Sequence, residues 1–335
     1  MNNEKYLIYD FKEDYGREPI IRKAKNGTLI CIFLTGGTWE PQNENIVKIM
    51  KSYDDGKSWT KPAVLFSHHS RGVWVPEMFL NNDKIILFVN TYNADNHYRE
   101  LQTFYSISDD NGESFSEPKS IPGSLNGVSI RQGIILSNNE YLFPLYWGEV
   151  ISDFDWTEKS IKNYRSNHIY RCGVAITNDE EKLFQKYGYI KSEKGLWEPN
   201  CVEVEPGHII MYMRNNNASY LGISHSYDYG RTWTEFEQTN IPNANTKITL
   251  LKIDDIIVMI NNFIDNSNFD KRTHLQLFIS KDGISWTKKM KLENDDECFF
   301  YPHAFYDDNN KILYVVYENS KQFYLQKILY RDLII

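Results

Sequence analysis

The sequence predicts an all-β protein, a six-bladed β-propeller occupying residues 1–335 as one domain. Three observations predict it. Four segments, residues 52–59, 108–115, 226–233 and 280–286, repeat one turn of the form S-x-D-x-G-x-[ST]-[WF], the last copy a residue shorter. A fifth, eroded copy covers residues 177–184. Six polar clusters, marked by Gly27, Asp83, Asn139, Gly207, Asp254 and Asn310, each lead into an apolar run, at intervals of 56, 56, 68, 47 and 56 residues. Aromatic residues make up 15% of the chain, which suits twisted sheets. A period near 50 residues with several short strands per unit indicates propeller blades.

Each part of the repeated turn has a mechanical reason. The aspartate accepts hydrogen bonds from the turn's own N–H groups, the glycine supplies a positive φ, and the terminal aromatic is expected to bury itself beneath the hairpin. The apolar runs 29–33, 85–89, 141–146, 209–213, 256–260 and 312–317 are then one strand from each of six blades. One small sheet cannot bury both faces, so neighbouring blades must stack and close. The last run has no turn of this kind after it, and residues 6–11 read as a strand, so the two termini are expected to share a blade. The longest interval contains a polar stretch, residues 149–171, expected to be an extended loop.

Composition excludes several classes of function. The net charge of −8 argues against nucleic acid and anionic membranes as partners. No apolar run reaches transmembrane length, and the first residues lack the basic start and apolar core of a leader, so a cytoplasmic location is expected. Cys31, Cys172, Cys201 and Cys298 lie far apart, as free thiols do. The eight histidines show no ligand spacing and no nucleotide-binding glycine pattern is present, so neither metal nor cofactor is expected.

Propeller chemistry is sought where loops converge at one end of the channel. Arg17 precedes the first run, Arg214 directly follows the fourth, and Arg272 stands eight residues before Ser280. Any one of these reads equally well as a salt-bridged arginine at a strand end. Together they would make a receptor for one carboxylate, through charge-assisted bidentate hydrogen bonds.

With these residues the chain resembles the sialidases, the neuraminidases of glycoside hydrolase family 33, and their wider relatives with bacterial neuraminidase repeats. The turns resemble that family's Asp boxes. Arg17-Glu18-Pro19 resembles its Arg-Ile-Pro motif, and Glu198-Pro199 running on to Arg214 resembles the strand that carries its second arginine. Arg272 matches the third, and Tyr301, ahead of Tyr317-Glu318, matches the nucleophilic tyrosine. The resemblance implies a sialidase-like propeller and retaining hydrolysis of a terminal acidic sugar, sialic acid or a related nonulosonic acid. In that reading Tyr301 attacks, Glu198 takes its proton, Glu40 serves as acid and base, and the three arginines hold the carboxylate.

The departures are specific. Glu40 stands where the family carries an aspartate, with Glu44 as rival and Glu77 and Glu18 as outsiders. Glu18 replaces a hydrophobic residue and is placed to pair with Arg17. The stretches 197–200 and 241–247 look more like the broad, poorly characterised branch of the superfamily. Arg131 and Trp147 are candidates for a subsite wall, and His303, like His274, for the channel lining; strand packing explains each as well. Two alternatives stay open. One is a different carbohydrate-active enzyme, a lyase or hydrolase of a uronic-type sugar. The other is a non-catalytic propeller that binds glycan or protein.

Overall fold

The computed structural model describes residues 4–334, except 13, 82, 95–98, 122, 124, 151–167, 180–183, 217 and 265–270. Among the described residues twenty-five strands form six sheets. After β1 (Glu4–Asp10), blade 1 comprises β2 (Gly16–Lys23), β3 (Leu29–Thr35), β4 (Ile46–Ser52) and β5 (Ala63–Phe66). Blade 2 follows with β6 (Gly72–Asn81), β7 (Lys84–Asn93), β8 (Arg99–Ser108) and β9 (Lys119–Ser120). Blade 3 has its innermost strand split into β10 (Ser129–Ile130) and β11 (Ile134–Ile135), followed by β12 (Tyr141–Val150), β13 (His168–Thr177) and β14 (Gln185–Ile190). Blade 4 is β15 (Leu196–Glu205), β16 (His208–Asn215), β17 (Tyr220–Ser226) and β18 (Glu237–Pro242). Blade 5 is β19 (Thr249–Ile253), β20 (Ile256–Asn262), β21 (Leu275–Ser280) and β22 (Thr287–Lys291). Blade 6 takes β23 (Phe300–Asp307), β24 (Ile312–Glu318) and β25 (Gln322–Leu329) from one end of the chain and β1 (Glu4–Asp10) from the other.

The six apolar runs are the second strands of the six blades, each paired on both sides and therefore apolar on both faces. Buried clusters join every neighbouring pair, including blade 6 to blade 1, where Phe323 and Leu325 meet Leu29 and Phe33. The ring is thus closed by packing. Residues 330–334 form a short helix, α1 (Tyr330–Ile334), after the last strand. The loop expected over 149–171 lies largely outside the described residues, between β12 and β13. So do residues 180–183 of the eroded turn.

The intact Asp boxes connect third and fourth strands. In the one at 226–233, Asp228 Oδ1 accepts from Arg231 N at 3.0 Å, Thr232 N at 2.8 Å and the Ser226 hydroxyl at 2.9 Å. Gly230 has φ +88°, and a Cβ there would come within 2.7 Å of Leu142 Cδ1 in the preceding blade. Gly56, Gly112 and Gly283 lean in the same way on Leu325, Ile30 and Ile210. Each box therefore wedges its blade against the one before, which adds a reason for glycine beyond the turn itself. Trp59, Trp233 and Trp286 are partly buried beneath their turns, packed against the clusters between blades. Their indole N–H groups bond near the surface, to Gly56 O, Gly230 O and the Tyr212 hydroxyl.

Antiparallel order assigns the two ends of the ring. Starts of first and third strands and ends of second strands share one face, and the Asp boxes occupy the other. Arg17 starts a first strand, Arg214 ends a second and Arg272 precedes a third, so all three belong to the face opposite the boxes. Cys31, Cys172 and Cys201 are buried free thiols, and Cys298 is an exposed one. Among the described residues no helix is long and apolar enough to cross a membrane.

Candidate active site

The site is built from a bulge used four times. On β2, β6, β15 and β23 one extra residue enters the innermost strand, between Arg17 and Ile20, Trp74 and Glu77, Trp197 and Asn200, and Phe300 and His303. Each bulge contains a proline: Pro19, Pro76, Pro199 and Pro302. Proline cannot donate to the ladder, and a bulge is where that loss is tolerated. The residue before it adopts φ of +51° at Glu18, +47° at Glu198 and +53° at Tyr301. Such conformations cost roughly 1–3 kcal/mol each for residues other than glycine, and they cluster at functional sites. The repeated bulge re-aims these three side chains.

Tyr301 is 6% exposed and ringed by cations. The guanidinium carbons of Arg17 and Arg272 lie 4.7 Å and 4.8 Å from its ring centroid, and Lys247 Nζ lies at 5.5 Å. Arg214 hydrogen-bonds Tyr301, and its Nη1 donates to Glu198 Oε2 at 3.1 Å. Asn245 links two arginines: its Oδ1 accepts from Arg214 Nε at 2.8 Å and its carbonyl from Arg272 Nη2 at 3.1 Å. Arg17 lies 3.5 Å from Glu318 Oε1 through Nε. Burial disfavours the Arg17 charge, but Tyr301, Glu318 and Tyr15 more than offset this and hold its pKa above the ordinary value. Burial also pushes the Glu318 carboxyl up to about 7, against the pull of Arg17.

Glu18 does not pair with Arg17 as expected. Its bulge turns it to the channel floor, where Oε2 lies 3.5 Å from Arg131 Nη1 and 3.7 Å from Lys247 Nζ. Although Glu18 is buried, Lys247 and Arg131 keep its pKa below the ordinary carboxylate value. Deeper still, Arg22 Nη2 reaches Glu77 Oε1 at 2.6 Å and Arg22 Nη1 meets His303 Nε2 at 2.9 Å. Burial, with Arg22 beside it, lowers the pKa of His303 to about 3, so the imidazole is neutral. These charges form three tiers, with arginines at the mouth, Glu198, Tyr301 and the Glu18 cluster below, and the Arg22 cluster at the base.

The candidates divide accordingly. Arg17, Arg214, Arg272, Glu198 and Tyr301 are brought together, and Arg131 lies beneath them. His303 is not at the mouth: two residues past Tyr301, where the bulge ends, it is sealed against Arg22 and Glu77. Trp147 is not in the site either. Neighbours in a strand face opposite sides, so Tyr146 stacks towards Trp197, at 6.3 Å and 17°, while Trp147 packs between blades and bonds Glu149 Oε1 at 3.0 Å. Glu40 sits in the loop from β3 to β4, on the site face, near enough to act electrostatically on Tyr15, Arg17 and Tyr92. Asn45 and Gln42 pin that loop: Asn45 Nδ2 donates to Trp39 O at 3.1 Å, and Gln42 Oε1 accepts from Thr38 N at 2.7 Å. Glu44 is exposed and Glu77 lies at the base. Sequence reading missed Asn245 and Lys247 as site residues; the recurring proline of the inner strands was the available signal for the bulges.

A six-bladed propeller whose blades carry Asp boxes defines a repeat protein with the propeller fold of sialidases. More narrowly, the chain belongs to the BNR repeat-like domain family, whose model matches residues 27–315. It is 22% identical over 321 residues to a sialidase of Bacteroides fragilis (strain YCH46), covering 84% of this chain and 55% of the relative. The chain spans a little over half the length of the curated relatives it matches. Among solved structures, the Hadza microbial sialidase Hz136 superposes with a TM-score of 0.77 at 17% identity, over 96% of this chain and 66% of that one. A protein of unknown function from Dyadobacter fermentans DSM 18053 gives 0.77 at 17% identity and 97% coverage of both chains. At such identities these likenesses establish the fold.

Proposed function

We propose that the chain is an exo-glycosidase of the sialidase type, hydrolysing a terminal acidic sugar with retention of configuration. The observation that carries this reading is the convergence of Arg17, Arg214 and Arg272 on Tyr301, with Glu198 bonded to Arg214. Among the described residues the channel and its mouth hold six cations, Arg17, Arg22, Arg131, Arg214, Arg272 and Lys247, against the five carboxylates Glu18, Glu40, Glu77, Glu198 and Glu318. The positive excess favours an anionic substrate.

A carboxylate on the anomeric carbon would repel an anionic nucleophile, whereas a neutral tyrosine avoids that repulsion. The arginines hold the carboxylate, and Glu198 accepts the phenolic proton. The Tyr301 oxygen then bonds to the anomeric carbon as the glycosidic C–O bond breaks, with Glu40 protonating the leaving oxygen. In the second half Glu40 takes a proton from water, the water oxygen displaces Tyr301, and Glu198 returns the proton to the phenol. Two inversions give retention.

The Glu18–Arg131–Lys247 floor favours a second reading, a carbohydrate-active enzyme for a uronic-type sugar, because it replaces an apolar position with charge. One experiment separates the readings: aryl glycosides of sialic, other nonulosonic and uronic acids, assayed with the parent protein and Tyr301→Phe. The proposal expects turnover of a nonulosonide and a loss of roughly a thousandfold or more in kcat, with binding retained. Parent-like activity in Tyr301→Phe would overturn it.

A further inference from the structure

Lys247 has no role in the scheme above, and its setting is unusual. It lies just before β19, the innermost strand of blade 5, and is 1% exposed. Its Nζ makes no hydrogen bond among the described residues. The nearest anion is Glu18 Oε2, at 3.7 Å. A buried ammonium without hydrogen bonds costs stability, and an apolar side chain of the same length would fill the space at lower cost. Its neighbour Thr249 is tied instead to the Tyr301 strand, donating from Oγ1 to Pro302 O at 2.6 Å.

We propose that Lys247 is a positioning residue for Tyr301: its ammonium, anchored by Glu18 and 5.5 Å from the Tyr301 ring, stabilises the negative charge that gathers on the phenol as its proton passes to Glu198. The inference rests on Tyr301 being the nucleophile. The arginines at the mouth cannot give this help undivided, because the substrate carboxylate claims them. Lys247 stands beneath, on the floor, and its charge stays directed at the tyrosine. The groups acting on Lys247 from the surrounding strands are Glu18 on β2, Arg131 beside β10, Glu198 on β15 and Glu318 on β24. His303 on β23 feels its charge in turn. Burial first, then Arg131, lower the Lys247 pKa, against the pull of Glu18.

The test compares Lys247→Met and Lys247→Arg with the parent, after thermal melting shows each folded; Lys247→Gln replaces the methionine variant if that one fails. Lys247→Met should lose roughly ten- to a hundredfold in kcat with little change in KM, since the lost interaction appears only as charge develops. Lys247→Arg should restore most of the rate and carry the alkaline limb of kcat to higher pH, because arginine stays charged. A readout independent of turnover is the tyrosinate absorbance of Tyr301, isolated by subtracting Tyr301→Phe. Its titration should move to higher pH in Lys247→Met. Equal impairment of both lysine variants, a loss confined to KM, or an unmoved tyrosinate titration would overturn the inference. An active Tyr301→Phe overturns the nucleophile assignment instead, and with it the catalytic part of this one.

Discussion

Glu198 and Tyr301 occupy the same position of the same bulge in two different blades, each in the left-handed region and each followed by proline. Residues far apart in sequence are thereby aimed into one channel by the same kind of bulge, with φ of +47° and +53°. Arg214 spans the two, bonded to both. The strain is local, and the ladders on either side of each bulge hold it in place.

Arg17 is held by long contacts. It is partly exposed, 3.5 Å from Glu318, and has a long contact of 3.4 Å to the Tyr15 hydroxyl. Arg17→Lys should raise KM for an acidic glycoside about ten- to a hundredfold while changing kcat less, because lysine keeps the charge and loses the planar fork. Steady-state kinetics check this. A loss confined to kcat would move Arg17 from ground-state carboxylate binding to a role in the transition state.

Two buried groups give stability opposite dependences on pH. His303 titrates near 3 in the fold against an ordinary 6.5, so its contribution is present above about pH 6.5 and is lost as pH falls towards 3. Glu318 titrates near 7 against an ordinary 4.5, so its contribution is present below about pH 4.5 and is lost as pH rises through 7. Glu318→Gln removes the second dependence. Relative to the parent, the variant should gain stability by up to about 3 kcal/mol between pH 4 and 8, read by denaturant unfolding across that range. Below pH 7 protonated Glu318 also leaves Arg17 uncompensated, so KM for an acidic sugar should fall there in the parent and not in the variant.

The Asp boxes lie on the face opposite the site, and their work is mechanical. Asp228→Ala removes the acceptor of three hydrogen bonds at Oδ1 and a fourth, from the Thr232 hydroxyl, at Oδ2. It should cost about 1–3 kcal/mol and lower Tm by a few degrees while leaving kcat and KM unchanged. A kinetic defect at full stability would contradict the division between the two faces.

The amino-acid sequence by itself determined the ring. Its turn signals and apolar runs are local in the chain, and their period specifies the blade count, because each blade buries its faces only against the next. It also marked Arg17, Arg214, Arg272, Glu198 and Tyr301 as candidates, through motifs that stand at strand ends. Only the tertiary structure decided which way side chains point. Alternation along β12 sent Tyr146 to the site and Trp147 away from it, and one extra residue in β2 turned Glu18 from Arg17 to Arg131 and Lys247. Lys247 and Asn245 carried no local signal, since their neighbours come from other blades. Orientation in a strand changes with each residue and each bulge, and the bulge is set by pairing with a partner strand that local sequence does not encode.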